Sequence, residues 1–164
     1  MTLRVLTPED LTEWRSIRLE GLKLAPESFL TTFDEERARP DSEVIERLAQ
    51  GHILGLFEKD DLAGALSVDP ETGAALAHRA WLNAFYVRAK WRGTHVAHVL
   101  MQSAIAKARA LGCVQLELYV AVDNAHAIRF YERAGFVKCG QLPRAVRLPD
   151  RYQDDLHCVL DIDA

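Results

Sequence analysis

Val87-Arg88-Ala89-Lys90-Trp91-Arg92-Gly93-Thr94-His95-Val96-Ala97 joins an apolar strand over residues 81–87 to an amphipathic helix expected over residues 96–111. In that helix Val96, Leu100, Ala104, Ala108 and Leu111 form one stripe, as the 3.6-residue period requires. The connecting loop is basic and opens directly into the helix. Such a junction offers unpaired backbone N–H groups and the positive end of a helix dipole, which together favour phosphate. Gly112 closes the helix, and residues 113–120 read as the next strand. A strand, helix, strand crossover is right-handed, so these two strands are expected to be parallel. Twenty-seven residues beyond Ala97 begins Asn124-Ala125-His126-Ala127-Ile128-Arg129-Phe130-Tyr131-Glu132-Arg133-Ala134-Gly135-Phe136, whose first eleven residues, 124–134, read as a further helix.

Outward from this centre the chain alternates in the same way. Residues 3–6 read as a strand, and Thr7-Pro8-Glu9-Asp10 starts a helix that Pro26 ends. Thr7 suits the cap, proline the first helical position and the acids the first turn. Residues 26–40 are a polar and aromatic connection, and Asp41-Ser42-Glu43 starts a second helix running to about residue 50. Residues 53–58 and 62–68 form a hairpin about Lys59-Asp60-Asp61. Residues 136–141 and 155–162 close the chain as strands, with residues 144–153 between them as a basic, proline-containing surface loop. The predicted order is βααβββαβαββ. It is a mixed α/β (α+β) fold whose mostly antiparallel sheet has about seven strands, flanked by about four helices.

Composition narrows the function classes. With 164 residues and 49% hydrophobic side chains, the chain suits one domain, 1–164, with a real core. A formal net charge of −4 argues against a general nucleic-acid binder and is compatible with a cationic substrate. Cys113, Cys139 and Cys158 have no metal-knuckle spacing, so no metal is expected. All three sit in apolar runs and read as small buried core residues. There is no leader-like N-terminal pattern and no apolar run near 18 residues, which leads to the expectation of a cytoplasmic protein with no membrane partner.

On the two quoted runs the chain resembles the GNAT superfamily of acetyl-CoA-dependent N-acetyltransferases. The family's phosphate loop, Gln/Arg-x-x-Gly-x-Gly/Ala, is matched at Arg92, His95 and Ala97, with Gly93 completing the Arg-Gly pair. Its second signature, Asn-x-x-Ala-x-x-x-Tyr followed by Gly-Phe, is matched by Asn124, Ala127, Tyr131, Gly135 and Phe136. The departure is His95, where the family has glycine. Its imidazole can add a phosphate contact or point to solvent from the first helical turn.

The resemblance implies an acyltransferase that moves an acetyl group from acetyl-CoA to an amine acceptor in a ternary complex. It allows a homodimer. It assigns the pantetheine arm to backbone groups of Phe85, Tyr86 and Val87, and the pyrophosphate to Arg92, Gly93, Thr94, His95, Val96 and Ala97. Asn124 binds the cofactor, caps its helix, or does both. Ala127 leaves room one turn before Tyr131, which is the candidate general acid. A phenol near pKa 10 holds its proton at neutral pH and can pass it to a leaving thiolate.

The base is not marked by a motif. Trp81 and Asn83 occupy the strand positions where relatives carry one. Glu117 is the first candidate by strand periodicity; Asp123, His78, Glu35, Glu36 and a water chain ordered by Asn83 are others. A rival reading is a non-catalytic CoA-binding module on the same fold.

Overall fold

The computed structural model describes residues 1–163. In chain order the elements are β1 (Thr2–Val5), α1 (Leu11–Leu24), α2 (Phe33–Ala38), α3 (Asp41–Ala49), β2 (Ile53–Glu58), β3 (Asp61–Pro70), β4 (Arg79–Val87), α4 (Val96–Ala110), β5 (Gln115–Ala121), α5 (Ala125–Arg133), β6 (Val137–Arg147) and β7 (Tyr152–Asp161). The hydrogen-bonding order of the seven strands is β1-β2-β3-β4-β5-β7-β6. The β4–β5 pair is parallel, and the β1–β2, β2–β3, β5–β7 and β6–β7 pairs are antiparallel. Among the described residues no helix is long and apolar enough to cross a membrane.

Two compact units share the chain. One holds residues 1–69 and 82–107, the other residues 70–81 and 108 onward, so β4 changes unit between Trp81 and Leu82. In the first unit α1 buries Trp14, Ile17, Gly21 and Leu22, the spacing of one helical face. These side chains meet Val44 and Leu48 of α3 and Leu6, Ile53, Phe57, Leu62, Ala65 and Tyr86 in one apolar cluster. The approach is close enough that a Cβ on Gly55 would lie 2.6 Å from Leu6 Cδ2.

The α2 helix corrects the expectation of an irregular connection over residues 26–40. Thr32 and Glu35 form a capping box: Thr32 Oγ1 accepts from Glu35 N–H at 3.2 Å, and Glu35 Oε2 accepts from Thr32 N–H at 2.8 Å. The Thr-x-x-Glu signature for it was present in the sequence. The helix is only six residues long, too short for hydrophobic periodicity to reveal it.

In the second unit β5 buries Leu116, Leu118 and Val120 on one face and Glu117 and Ala121 on the other, and pairs with β7 from Gln115↔Asp161 to Ala121↔Asp155. The expected surface loop over residues 144–153 is instead mostly strand, because β6 runs to Arg147 and β7 begins at Tyr152. Pro149, which lies between the two strands, and the basic residues misdirected that reading. At a sheet edge both proline and charge are tolerated, and β6 is the last strand of the order. The β6–β7 register shifts between Leu142 and Val146, where Arg144 takes φ +50° and its N–H donates to Asp154 Oδ1 at 2.8 Å. A second shift, between Lys138 and Gly140, leaves Cys139 exposed, which corrects its assignment to the core. Cys113 and Cys158 are buried as expected.

Candidate functional site

In the first unit β4 leads through a short 3-10 turn, Ala89–Trp91, to α4. Gly93 takes φ +73°, a left-handed conformation that glycine adopts without steric cost. His95 caps the helix through its carbonyl, which accepts Val99 N–H at 2.9 Å, while its side chain is exposed. Among the described residues the backbone N–H groups of Gly93, Thr94, His95 and Ala97 have no hydrogen-bond acceptor. They are the orphan donors of a fifteen-residue helix and the turn before it. Thr94 Oγ1 donates to the Trp91 carbonyl at 2.5 Å and so shapes the turn. Arg92 is exposed, with its Nε donating to the Val87 carbonyl at 3.1 Å. The arrangement can hold a polyanion by backbone donors, a helix dipole and one guanidinium.

Further back along β4 is Ala84 at φ +54°, left-handed in mid-strand. A non-glycine residue held there costs on the order of 1–2 kcal/mol. No sequence signal marked it, since alanine has no preference for that region. Beside it Tyr86 is buried and its ring packs 6.3 Å from Phe29. Its hydroxyl donates to Glu20 Oε1 at 3.2 Å, and Glu20 also receives Arg88. Burial, and then the Glu20 charge, push the Tyr86 phenol above its ordinary value. The Tyr86 side chain is therefore already engaged within the fold. Asn83 Nδ2 donates to Asp69 Oδ2 at 2.9 Å, so its amide is already engaged.

In the second unit α5 begins at Asn124, whose Oδ1 accepts Ala127 N–H at 3.1 Å. The capping reading of Asn124 therefore holds. Tyr131, one turn beyond Ala127, is half-buried, with its ring edge-on to Phe130 at 5.5 Å and to Phe136 at 5.7 Å. Desolvation, with a smaller contribution from Cys158, drives its phenol well above the ordinary tyrosine value. The hydroxyl stays protonated throughout the neutral range, as a donor must.

Glu117 lies at the end of the parallel ladder, opposite Trp81. It is 1% exposed, and four donor atoms reach its carboxylate. Oε1 receives Arg79 Nε and Gln115 Nε2, the latter at 2.8 Å, while Oε2 receives Arg79 Nη2 at 3.0 Å and His157 Nε2 at 2.8 Å. Burial opposes the charged form, but the bonds from Arg79, Gln115 and His157 outweigh it and hold the carboxyl below its ordinary value. A carboxylate so occupied has little capacity left to take up a further proton. The His157 contact joins residues 40 positions apart, and nothing in the local pattern of either strand announced it. Two of the other acids offered as bases are engaged elsewhere: Glu35 in the α2 cap, and Glu36 3.6 Å from Arg18 Nη2.

The depressed Glu117 value has a pH consequence. Its charged form stabilises the fold fully above the unfolded carboxyl pKa, about 4.3 for Glu, and that contribution is lost as pH falls through the lower folded value. Thermal melts of the native protein should therefore show an acid limb below about pH 4 that Glu117→Gln reduces. An unchanged limb in the variant would refute the assignment.

Residues 13–136 match the model of the acetyltransferase (GNAT) family. The chain is 34% identical over 115 residues to acetyltransferase Atu2258 of Agrobacterium fabrum, covering 66% of this chain and 80% of the relative. It is 26% identical to aminoglycoside N(6')-acetyltransferase type 1 of Stenotrophomonas maltophilia, covering 82% of this chain and 85% of that protein. The fold matches yncA of Salmonella typhimurium, a structure described with its cofactor acetyl-CoA, with a TM-score of 0.85 over 100% of this chain and 95% of that one, at 19% identity. The Arg-Gly turn, the Asn-x-x-Ala-x-x-x-Tyr helix and these likenesses agree, and the chain belongs to the GNAT acetyltransferase family.

Proposed function

We propose that the protein transfers the acetyl group of acetyl-CoA to a primary amine by direct attack in a ternary complex, as a cytoplasmic enzyme. The observation that carries this reading is the row of unpaired N–H groups at Gly93, Thr94, His95 and Ala97, ahead of a fifteen-residue helix and next to Arg92. These groups, with Val96, are assigned to the pyrophosphate. Backbone groups of Phe85, Tyr86 and Val87 are assigned to the amide-bearing pantetheine arm, which can pair as an added strand does. Asn124 and Ala127 are assigned to the cofactor's side of α5, and Tyr131 to protonation of the departing thiolate. The attacking nitrogen forms its bond to the thioester carbon as the C–S bond breaks, so no cysteine of the chain is needed as a nucleophile.

Two measurements test the reading. In calorimetry, acetyl-CoA should bind with micromolar-class affinity, about −7 to −8 kcal/mol, and phosphate-free pantetheine far more weakly. Equal affinities would remove the phosphate-loop assignment. A screen of amines that detects released CoA thiol should find an acceptor. Tight acetyl-CoA binding with no turnover on any amine would instead favour the non-catalytic module, for which the exposed His95 in a glycine position is the supporting observation. Light scattering on the eluting protein tests the homodimer.

A further inference from the structure

We propose that His157 is the proton acceptor for the incoming amine and that Glu117 is its positioning residue. The inference rests on the transferase reading above. Glu117 is held ionised by Arg79, so it can only accept, and the 2.8 Å contact requires His157 to donate through Nε2. That fixes the tautomer and leaves the Nδ1 lone pair as the basic site, with no hydrogen-bond partner among the described residues. The buried carboxylate then does for this imidazole what the aspartate of a serine hydrolase triad does: it orients the ring and stabilises the imidazolium that forms. No other histidine among the described residues has such a partner. His52 Nδ1 stands 3.8 Å from Asp69 Oδ1, beyond hydrogen-bond reach, and burial lowers its tendency to hold a proton.

The surroundings suit a cationic acceptor. The imidazole stacks 5.0 Å from Tyr119 and 5.5 Å from Trp81, and the two aromatic rings stack on each other at 5.4 Å. His157 is 27% exposed and Tyr119 38%, so the cluster reaches solvent while its carboxylate does not. Aromatic faces attract ammonium groups. The acceptor amine thus arrives as an ammonium beside the imidazole.

The ammonium loses one proton to His157 Nδ1 and becomes a neutral amine. Its nitrogen attacks the thioester carbon, the C–S bond breaks, the thiolate takes the proton of Tyr131, and the second nitrogen proton restores that phenol. The imidazolium returns its proton to solvent.

The test compares wild type with His157→Ala and His157→Phe, the latter keeping an aromatic ring in the stack. The acceptors are a strongly basic alkylamine and trifluoroethylamine, which is mostly neutral at assay pH. Both variants should bind acetyl-CoA with unchanged affinity. Turnover of the alkylamine should fall about 10²-fold, and that of trifluoroethylamine by less than about threefold. Added imidazole should restore part of the His157→Ala loss. Glu117→Gln should show a smaller defect with the same dependence on amine basicity. Equal losses on both amines, full activity, or loss of acetyl-CoA binding in both variants would each overturn the proposal and leave the transferase reading standing. A wild-type protein that acetylates neither these amines nor any in the wider screen would overturn both.

Discussion

Tyr131→Phe should lower kcat about 10²-fold while leaving acetyl-CoA affinity unchanged, the low end for a positioned acid. The substitution removes one hydroxyl and keeps the ring, so the edge contacts with Phe130 and Phe136 survive. The buried phenol, held above its ordinary value, is fully protonated before the reaction. The same desolvation that strengthens its hold on the proton would make a thiolate leaving into that environment more basic, so donor and acceptor stay matched. The ground-state thioester has no use for the proton, so the loss should appear equally in kcat and kcat/KM. Single-turnover measurement on a saturating amine separates this from product release. Full single-turnover rate in the variant would return Tyr131 to a packing role.

Arg79→Ala should destabilise the fold by about 3 kcal/mol, or roughly 6–12 °C in melting temperature for a chain of this size. Arg79 supplies two of the four donor atoms on Glu117, which is almost wholly buried. Removing it leaves a charge in a poorly solvating environment, and that loss, rather than the salt bridge itself, sets the magnitude. The estimate is at the low end because Gln115 and His157 remain. The double variant Arg79→Met with Glu117→Leu should regain most of the stability, since neither charge is then stranded. It should not regain turnover, because nothing would then orient His157. An Arg79→Ala protein as stable as wild type would show that water or the remaining partners satisfy the carboxylate unaided.

The divide between what was legible and what was not follows the range of the interactions. The α4 stripe from Val96 to Ala108, the turn at Gly93 and the cap at Asn124 are local, and each was readable because residues within one turn of helix decide it; Leu111, assigned to the stripe, lies past the helix end and is exposed. The succession of strands along the chain and the parallel β4–β5 pair followed from the same local patterns with crossover handedness added. Where local signals were short or ambiguous, the reading failed. The six-residue α2 had only its capping box to show, and the basic, proline-containing stretch over residues 144–153 concealed the end of an edge strand whose bulge takes up the irregular residues. Glu117 could be named from strand periodicity, but its partners could not. Arg79 reaches it from β4 and His157 from β7, 38 and 40 residues away. Ala84 is left-handed although alanine does not favour that conformation. The sequence alone determined the family and named the candidate phosphate loop and the candidate acid, because each is written in contiguous residues. Only the tertiary structure decided which groups gather on the Glu117 carboxylate, because strands distant in sequence become neighbours only through sheet pairing.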